Sequence, residues 1–246
     1  MSENPYQATE FSYPSVTADM ATADARATFI KRTYLHLLGA VLACIAIDAV
    51  ILNVFDEQLK ALVPMFYSGW NPLIALGAFM AVSYVADRWA HSNVSRSMQY
   101  LGLGTYIVAE ALFLIPLLYI AEKFASPGII ESAGMVTAFV FGGLTITVLV
   151  TKADFSFLRF AIVTGTFIAF AVMLIPLVLP GFNLGSMGLW FSVAMVVLAS
   201  GIILYNTSKV LHDYGTEQYV AASLTLFASV ALLFWYVLQI FMVMDD

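Results

Sequence analysis

The segment from Tyr219 to Met244, YVAASLTLFASVALLFWYVLQIFMVM, contains no charged side chain. A helix needs about 20 mainly apolar residues to cross the hydrocarbon core of a bilayer, so this segment predicts a transmembrane helix. Its small and weakly polar residues recur at steps of three and four, which places them on one helix face. That face is expected to point inward, toward neighbouring helices or toward a conduction path. This polar stripe consists of Ala222, Thr225, Ser229, Leu232, Tyr236 and Gln239.

The whole chain shares this apolar character. Of its 246 residues, 61% are hydrophobic and 11% are charged, and the mean hydropathy is +0.90. Soluble domains are about one quarter charged, so the excess apolar surface of this chain is expected to face lipid. Its ten Lys and Arg residues are scattered between apolar segments. A nucleic-acid partner is not expected, because that function needs a clustered basic face.

Seven segments satisfy the length requirement for a transmembrane helix. The sequence therefore predicts an all-α, polytopic seven-helix bundle without a separate soluble domain, and a polar connection at Asp56 and Glu57 after the first span. The predicted spans are Thr33–Phe55, Asn71–Ala86, Met98–Ile120, Ala133–Val150, Phe155–Leu179, Leu184–Tyr205 and Val220–Met244.

The first 27 residues differ from the rest of the chain. They contain four acids and many Ser, Thr and Ala residues. They lack the basic start and apolar core of a cleavable signal peptide. The sequence predicts a disordered cytoplasmic tail at residues 1–27 and a transmembrane domain at residues 28–246.

The basic residues indicate an orientation in the membrane. Short cytoplasmic loops of membrane proteins carry an excess of Lys and Arg. Of the ten basic residues, only Lys60 and Lys123 fall on the side opposite the N-terminus. We therefore expect the N-terminus in the cytoplasm and the C-terminus outside. The residues on the N-terminal side are Arg26, Lys31, Arg32, Arg88, Arg96, Lys152, Arg159 and Lys209.

Two acids, Asp48 and Glu110, lie well inside predicted spans. An ionised acid near the centre of a membrane costs about 2.5–3.5 kcal/mol on insertion scales, so such groups are paired, protonated or in contact with water. Glu110 is the stronger candidate for binding a proton or a cation, because Pro116 in the same helix frees a backbone carbonyl nearby. For Asp48, a partner across one helix interface is an equally good interpretation.

The sequence does not favour an enzyme. It has no HExxH motif, nucleophile elbow or P-loop, and no buried His and Cys cluster with metal-ligand spacing. No cofactor is expected. Arg88, beside Asp87 and Trp89, is either an interfacial anchor or a residue that reaches the end of the sixth span near Asn206.

Three passages resemble the Bax inhibitor family of membrane proteins, and most closely its bacterial YccA-like branch. One is AEALFLIP, which contains Glu110, and another is LYNTSKVLH with the apolar segment that follows it. The most specific is TKADFSFLRF at residues 151–160. It carries the family signature, which consists of Asp154, Phe155, Ser156, Phe157 and Leu158. The resemblance implies a seven-helix bundle with the last helix at its centre, in a bacterial inner membrane.

The resemblance also implies where a gate would lie. Some members are pH-sensitive calcium leak channels, in which an acid in span six and an acid in span seven share a proton, assisted by an Arg from span two. These positions fall on Asn206, Ser229 and Arg88. Both acids are therefore missing, and the pair that would sense pH is absent. His212 matches a His of the YccA-like branch.

Two functions follow from the resemblance. The first is modulation of membrane proteostasis through an FtsH-type ATP-dependent membrane protease, for which residues 1–27 would be the segment that the protease seizes. The alternative is a pH-influenced leak channel for calcium, protons or other cations that lacks the two-aspartate switch. In this alternative, Glu110 and Asp48 lie in the path and Arg88 lies near the inner gate.

Overall fold

A computed structural model describes residues 17–91, 95–178 and 188–245 of the chain. These residues form a bundle of helices with short connections. The helices are α1 (Ala23–Val54), α2 (Asp56–Phe66), α3 (Asn71–Ala90), α4 (Arg96–Phe124), α5 (Ile129–Thr151), α6 (Leu158–Val178), α7 (Gly188–His212) and α8 (Tyr219–Asp245).

Seven of these helices, all except α2, are long and apolar enough to cross a membrane. This confirms the predicted fold class. Several helices are longer than the predicted spans, because a helix can continue beyond the hydrocarbon. In particular, α7 continues to His212, so Asn206 and Lys209 lie on a helix and not in a loop. The predicted span ends at Leu179 and Leu184 lie outside the described residues.

The predicted polar connection after the first span is wrong. Asp56 and Glu57 form the first turn of α2, where acids interact favourably with the helix dipole. Leu59 and Val63 of this helix are buried against α4. The Lys123 ammonium of α4 lies 2.8 Å from the Asp56 carboxylate. A short amphipathic helix therefore covers the end of the bundle that lies opposite the N-terminus.

Helix α8 lies at the centre of the bundle. It packs against α1, α3, α4, α5 and α7, whereas α6 packs against α7 alone. The small and aliphatic residues of α8 are buried accordingly, and Leu226, Leu233 and Leu238 are fully inaccessible. This confirms the central last helix that the family resemblance implied. Helix α4 also has an extensive interface, with α1, α2, α3, α5 and α8.

Gly102 of α4 lies directly against the backbone of α3. A Cβ atom at this position would lie 2.5 Å from the Ala86 carbonyl oxygen and 2.5 Å from the Ala90 nitrogen. Both are backbone atoms, which cannot move aside as a flexible side chain can. Small residues at helix interfaces permit this kind of close packing in membranes.

The segment before α1 is packed against the bundle. We call the end where α1 begins and α7 ends the basic end. There, the Ala18 nitrogen donates to the Tyr214 carbonyl at 3.0 Å, and the Asp19 nitrogen donates to the Leu211 carbonyl at 3.1 Å. Ala18 is fully buried. The predicted tail of residues 1–27 thus includes this packed segment and the first residues of α1, and its residues 1–16 lie outside the described residues.

A hydrogen-bond chain joins α3 to the start of α8 at the same end. His91 Nδ1 lies 2.9 Å from the Asp87 carbonyl oxygen, and His91 Nε2 lies 3.0 Å from the Tyr214 hydroxyl oxygen. That hydroxyl lies 2.9 Å from the Thr225 hydroxyl, which donates to the Ala221 carbonyl. Each hydrogen bond in this series needs one donor. This is possible only if both ring nitrogens of His91 carry a proton.

The electrostatics agree with a protonated ring. The Asp87 carboxylate, 3.2 Å from Nδ1, raises the pKa of His91 above its usual value, and this effect outweighs burial and the nearby Lys209 ammonium. A raised pKa in the folded state stabilises the protein below the ordinary value of about 6.5. That stabilisation is lost as the pH rises through the raised pKa.

We predict that Gly102→Ala destabilises the protein by about 1–3 kcal/mol, because its Cβ atom overlaps the α3 backbone. The matched control is Gly104→Ala on the same helix, whose Cβ atom would meet nothing within 4 Å. Thermal unfolding of the purified protein in detergent measures both variants. Equal melting temperatures for the two variants would contradict the close approach.

We also predict that Asp87→Asn lowers the pKa of His91 toward about 6.5, because it removes the charge that favours the protonated ring. Nuclear magnetic resonance titration of labelled imidazoles measures the change. Asp213→Asn is the control, because it removes a charge nearby without removing a hydrogen bond to His91. If the pKa of His91 is unchanged in Asp87→Asn, the Asp87 carboxylate does not stabilise the protonated ring.

Candidate functional site

The two membrane acids predicted as candidates are both buried. Asp48 and Glu110 are each 6% exposed. Asp48 ends a regular stripe of buried residues along one face of α1, and Glu110 lies in the middle of α4, against which α1 packs. The other members of the α1 stripe are Phe29, Thr33, Leu37, Ala40 and Cys44.

Asp48 has an incomplete set of hydrogen bonds. The Cys44 thiol, one turn earlier on α1, lies 3.6 Å from Asp48 Oδ2 and donates to it. Asp48 Oδ1 is buried and has no hydrogen-bond partner among the described residues. The sequence left open a partner for Asp48 across a helix interface. None of the described residues across an interface donates a hydrogen bond to Asp48. A buried carboxylate oxygen without a donor is costly, so Asp48 is a candidate for binding.

Glu110 has a partner on its own helix and an acid nearby. The Tyr106 hydroxyl, one turn earlier on α4, interacts with the Glu110 carboxyl group. Asp48 lies close enough for its charge to act on Glu110, and Cys44 is within reach of both acids. The fold thus brings together two acids that are 62 residues apart in sequence.

No basic side chain neutralises this acid pair among the described residues. The ion pairs among the described residues involve other acids, namely Asp56, Asp87 and Glu217. The described residues also contain no group of three or more His, Cys, Asp or Glu side chains arranged as metal ligands. Two carboxyl groups with a tyrosine are well suited to hold a proton, or a cation that keeps part of its water shell.

Asp48 also lines a cavity of about 650 Å³ between α1, α4, α5 and α8. The walls are mainly apolar, with Leu38 and Val41 from α1 and Phe227 and Phe234 from α8. Glu110 does not line it, although the later α4 residues Leu114 and Leu118 do.

Asn206 and Ser229 meet between α7 and α8. The Asn206 amide nitrogen donates to the Ser229 hydroxyl oxygen at 2.8 Å, and that hydroxyl donates to the Thr225 carbonyl at 2.9 Å. Farther along, the Ser192 hydroxyl of α7 donates to the Gln239 side-chain oxygen at 3.1 Å. The polar stripe of α8 therefore bonds to α7, which favours packing over a conduction path as its role.

Arg88 does not reach Asn206. It is exposed at the end of α3, where its Nε donates to the Tyr84 hydroxyl at 3.1 Å and its guanidinium lies 5.4 Å from the centre of that ring. Tyr84 is 62% exposed. Arg88 and Tyr84 therefore form an outward-facing pair, which is the geometry of an interfacial anchor.

The family signature and His212 form one structural unit. Asp154 accepts a 2.8 Å bond from the Ser156 nitrogen, which lowers the pKa of Asp154. The Phe155 nitrogen donates to the Ser208 hydroxyl of α7 at 3.0 Å, and the His212 ring bonds to the Ser208 carbonyl at 2.9 Å. The signature thus ties the connection between α5 and α6 to the last turns of α7. Phe157 and Leu158 continue this connection into α6.

The sequence analysis missed the two residues that accompany the acids. Cys44 precedes Asp48 by four residues and Tyr106 precedes Glu110 by four residues. Side chains four residues apart lie on the same helix face, so this spacing is the signal that could have identified them.

Comparison with known proteins agrees with this architecture. The chain is 38% identical to the Uncharacterized protein PA2604 of Pseudomonas aeruginosa over 113 residues, which cover 46% of this chain and 49% of that protein. It is 27% identical to the Golgi anti-apoptotic protein of Vaccinia virus strain Lister over 94% of this chain and 91% of that protein. It is 25% identical to Protein lifeguard 4 of Mus musculus, over 94% of this chain and 90% of that protein.

The family profile described as Inhibitor of apoptosis-promoting Bax1 matches residues 26–246. This range includes every membrane-spanning helix except the first three residues of α1. A multi-pass bundle with the last helix at its centre, matched over almost its whole length, therefore belongs to the Bax inhibitor family.

Proposed function

We propose that this protein is a pH-influenced cation leak in which Asp48 and Glu110 form the ion-binding site. The observation that carries the proposal is the pair of buried acids without a basic partner among the described residues. Two carboxylates whose charges act on each other in a low-dielectric interior repel each other, and a bound proton or cation relieves that repulsion. A calcium ion or a proton is therefore the natural ligand of this site.

The interface between α7 and α8 supplies the barrier in this proposal. The Asn206–Ser229 bond stands where related channels carry two acids, and neither residue ionises in the physiological range. The bond can hold the helices together at any pH. The pH dependence of a leak must then come from Asp48 and Glu110, whose protonation competes with the cation.

The proposal places the basic end in the cytoplasm of a bacterial inner membrane. It rests on the position of the basic residues, because Arg32, Arg96 and Lys209 lie at the end where α1 and α8 begin. The positive-inside rule assigns such an end to the cytoplasm. The opposite end, which α2 covers, then faces outward.

We expect purified protein in liposomes to conduct calcium or protons, and Glu110→Gln to reduce that flux about tenfold or more. The amide has the shape of the acid but cannot bind a proton, and it attracts a cation weakly. The control is Glu122→Gln, which removes an exposed acid from the end of the same helix. Flux is followed with an entrapped calcium or pH indicator between pH 5 and pH 8.

Two outcomes would overturn the leak. One is wild-type flux equal to that of empty vesicles over this whole pH range. The other is a Glu110→Gln flux equal to that of Glu122→Gln.

Modulation of a membrane protease is a second candidate. It is supported by the resemblance to the YccA-like branch and by the segment 17–21, which is docked at the basic end. If that end is cytoplasmic, residues 1–16 begin on the side where the ATPase of an FtsH-type protease works. Their polar sequence is the kind of segment that such a motor can take hold of.

We expect deletion of residues 2–16 to lengthen the half-life of the protein several-fold in cells that contain the protease. A pulse-chase measurement gives the half-life. The control replaces residues 2–16 with a scrambled sequence of the same composition, which should restore degradation if the protease needs only a polar handle. An equal half-life for the deletion and the full-length protein would remove this candidate.

A further inference from the structure

The cavity beside Asp48 has an unusual shape for a packed helix bundle. Along α1 it extends from Tyr34 to Leu52, which corresponds to roughly 27 Å at 1.5 Å per residue. Asp48 lies four residues from the Leu52 end, so roughly 21 Å of mainly apolar wall runs from Asp48 toward the basic end. Its volume of about 650 Å³ is within the usual range for ligand pockets.

The cavity is open toward lipid. Helices α1 and α5 both pack against α4 and α8, but over the described residues their backbones do not approach each other. Leu38 and Ile45 line the cavity and are also more than half exposed on the surface of α1. A molecule in the bilayer can therefore enter sideways between α1 and α5 without crossing the bundle.

The acidic group of the cavity is the Asp48 carboxyl group, which has free bonding capacity. None of the described residues donates a hydrogen bond to Asp48 Oδ1, and Asp48 is 6% exposed. The terminal torsion of an Asp side chain is soft, so the carboxyl group can turn toward an occupant at little cost. Glu110 lies close enough to add a second negative charge to the surroundings.

We propose that this cavity is a binding site for a single-chain alkyl amine that enters from the bilayer. The ammonium group pairs with Asp48, and the alkyl chain lies along the apolar wall between α1, α5 and α8 toward Tyr34. An ammonium–carboxylate pair in a low-dielectric site is a strong, charge-assisted hydrogen bond. The alkyl chain stays in apolar surroundings along this wall, as it does in the bilayer, so the head group decides the selectivity.

The orientation of such a ligand suits the bilayer. Asp48 is six residues before the end of α1, so it lies roughly 9 Å from that helix end. The charged head therefore lies between the centre of α1 and the end of that helix, and the chain runs from there toward the basic end. The carboxylate of a fatty acid of equal length would face Asp48 and is repelled by it.

The test compares dodecylamine, dodecanol and dodecanoate, which have equal chain lengths and different head charges. Native mass spectrometry of the purified full-length protein measures binding. We expect one dodecylamine per chain, bound at least tenfold more tightly than dodecanol, and no dodecanoate. Asp48→Asn should abolish the preference for dodecylamine over dodecanol, because the amide removes the charge and retains the shape.

A cavity-filling variant tests the location. Gly134 lines the cavity, and a Cβ atom there would meet nothing within 4 Å, so Gly134→Phe should block dodecylamine and dodecanol alike. The control is Gly142→Phe on the same helix, where the space is also open but does not belong to the cavity. It should bind as the wild type does.

A second measurement guards against a folding defect. Both Phe variants should unfold at the wild-type temperature in detergent. Dodecylamine should raise the melting temperature of the wild type and of Gly142→Phe, but not that of Gly134→Phe, because a ligand stabilises only the folded protein that binds it. Equal affinity of the wild type for dodecylamine and dodecanol would overturn the proposal, since it would indicate an ordinary lipid chain. A retained amine preference in Asp48→Asn would also overturn it.

This proposal shares Asp48 with the proposed ion leak, but the two are tested separately. Binding is measured without flux, and Glu110 does not line the cavity. A protein that binds dodecylamine and conducts nothing would support the site and remove the leak. Flux that depends on Glu110, in a protein that binds dodecylamine and dodecanol equally, would support the leak and remove the amine site.

Discussion

The structure depends on one constraint, which is that a polar side chain inside the hydrocarbon must find its partner within the protein. The interface between α7 and α8 satisfies it with neutral groups. Ser192 bonds to Gln239 and Asn206 bonds to Ser229, so the polar stripe of the central helix is turned toward α7. In a solvent that offers no hydrogen bonds, these pairs fix which face of α8 meets which neighbour.

The acids of α1 and α4 satisfy the same constraint only in part. Each has a donor one turn earlier on its own helix, a thiol for Asp48 and a phenol for Glu110. Neither receives a cation from the described residues, and the packing of α1 on α4 brings them close together. Among the described residues, the other acids of the long helices lie within three residues of a helix end. The acid pair is therefore the place where a proton, a cation or an ammonium group has most to gain.

Hydropathy and helix length were enough to predict the seven spans, because both follow from the thickness of the bilayer. They could not predict α2, whose Leu59 and Val63 form a stripe too short to cross a membrane. They also placed Asn206 and His212 in a loop, because a helix need not end where the lipid ends. The Asp48–Glu110 proximity was beyond sequence reasoning, since it depends on how α1 and α4 rotate against each other.

The family resemblance and the structure indicate different roles for Arg88. The resemblance assigned it to a gate, yet a gate of that kind needs an acid for the guanidinium to hold. With Asn206 and Ser229 bonded to each other, nothing at that position attracts a cation. Arg88 instead lies on Tyr84 at the outer surface of α3. In the proposed leak, the α7–α8 interface that closes the bundle is therefore separate from the acids that sense charge.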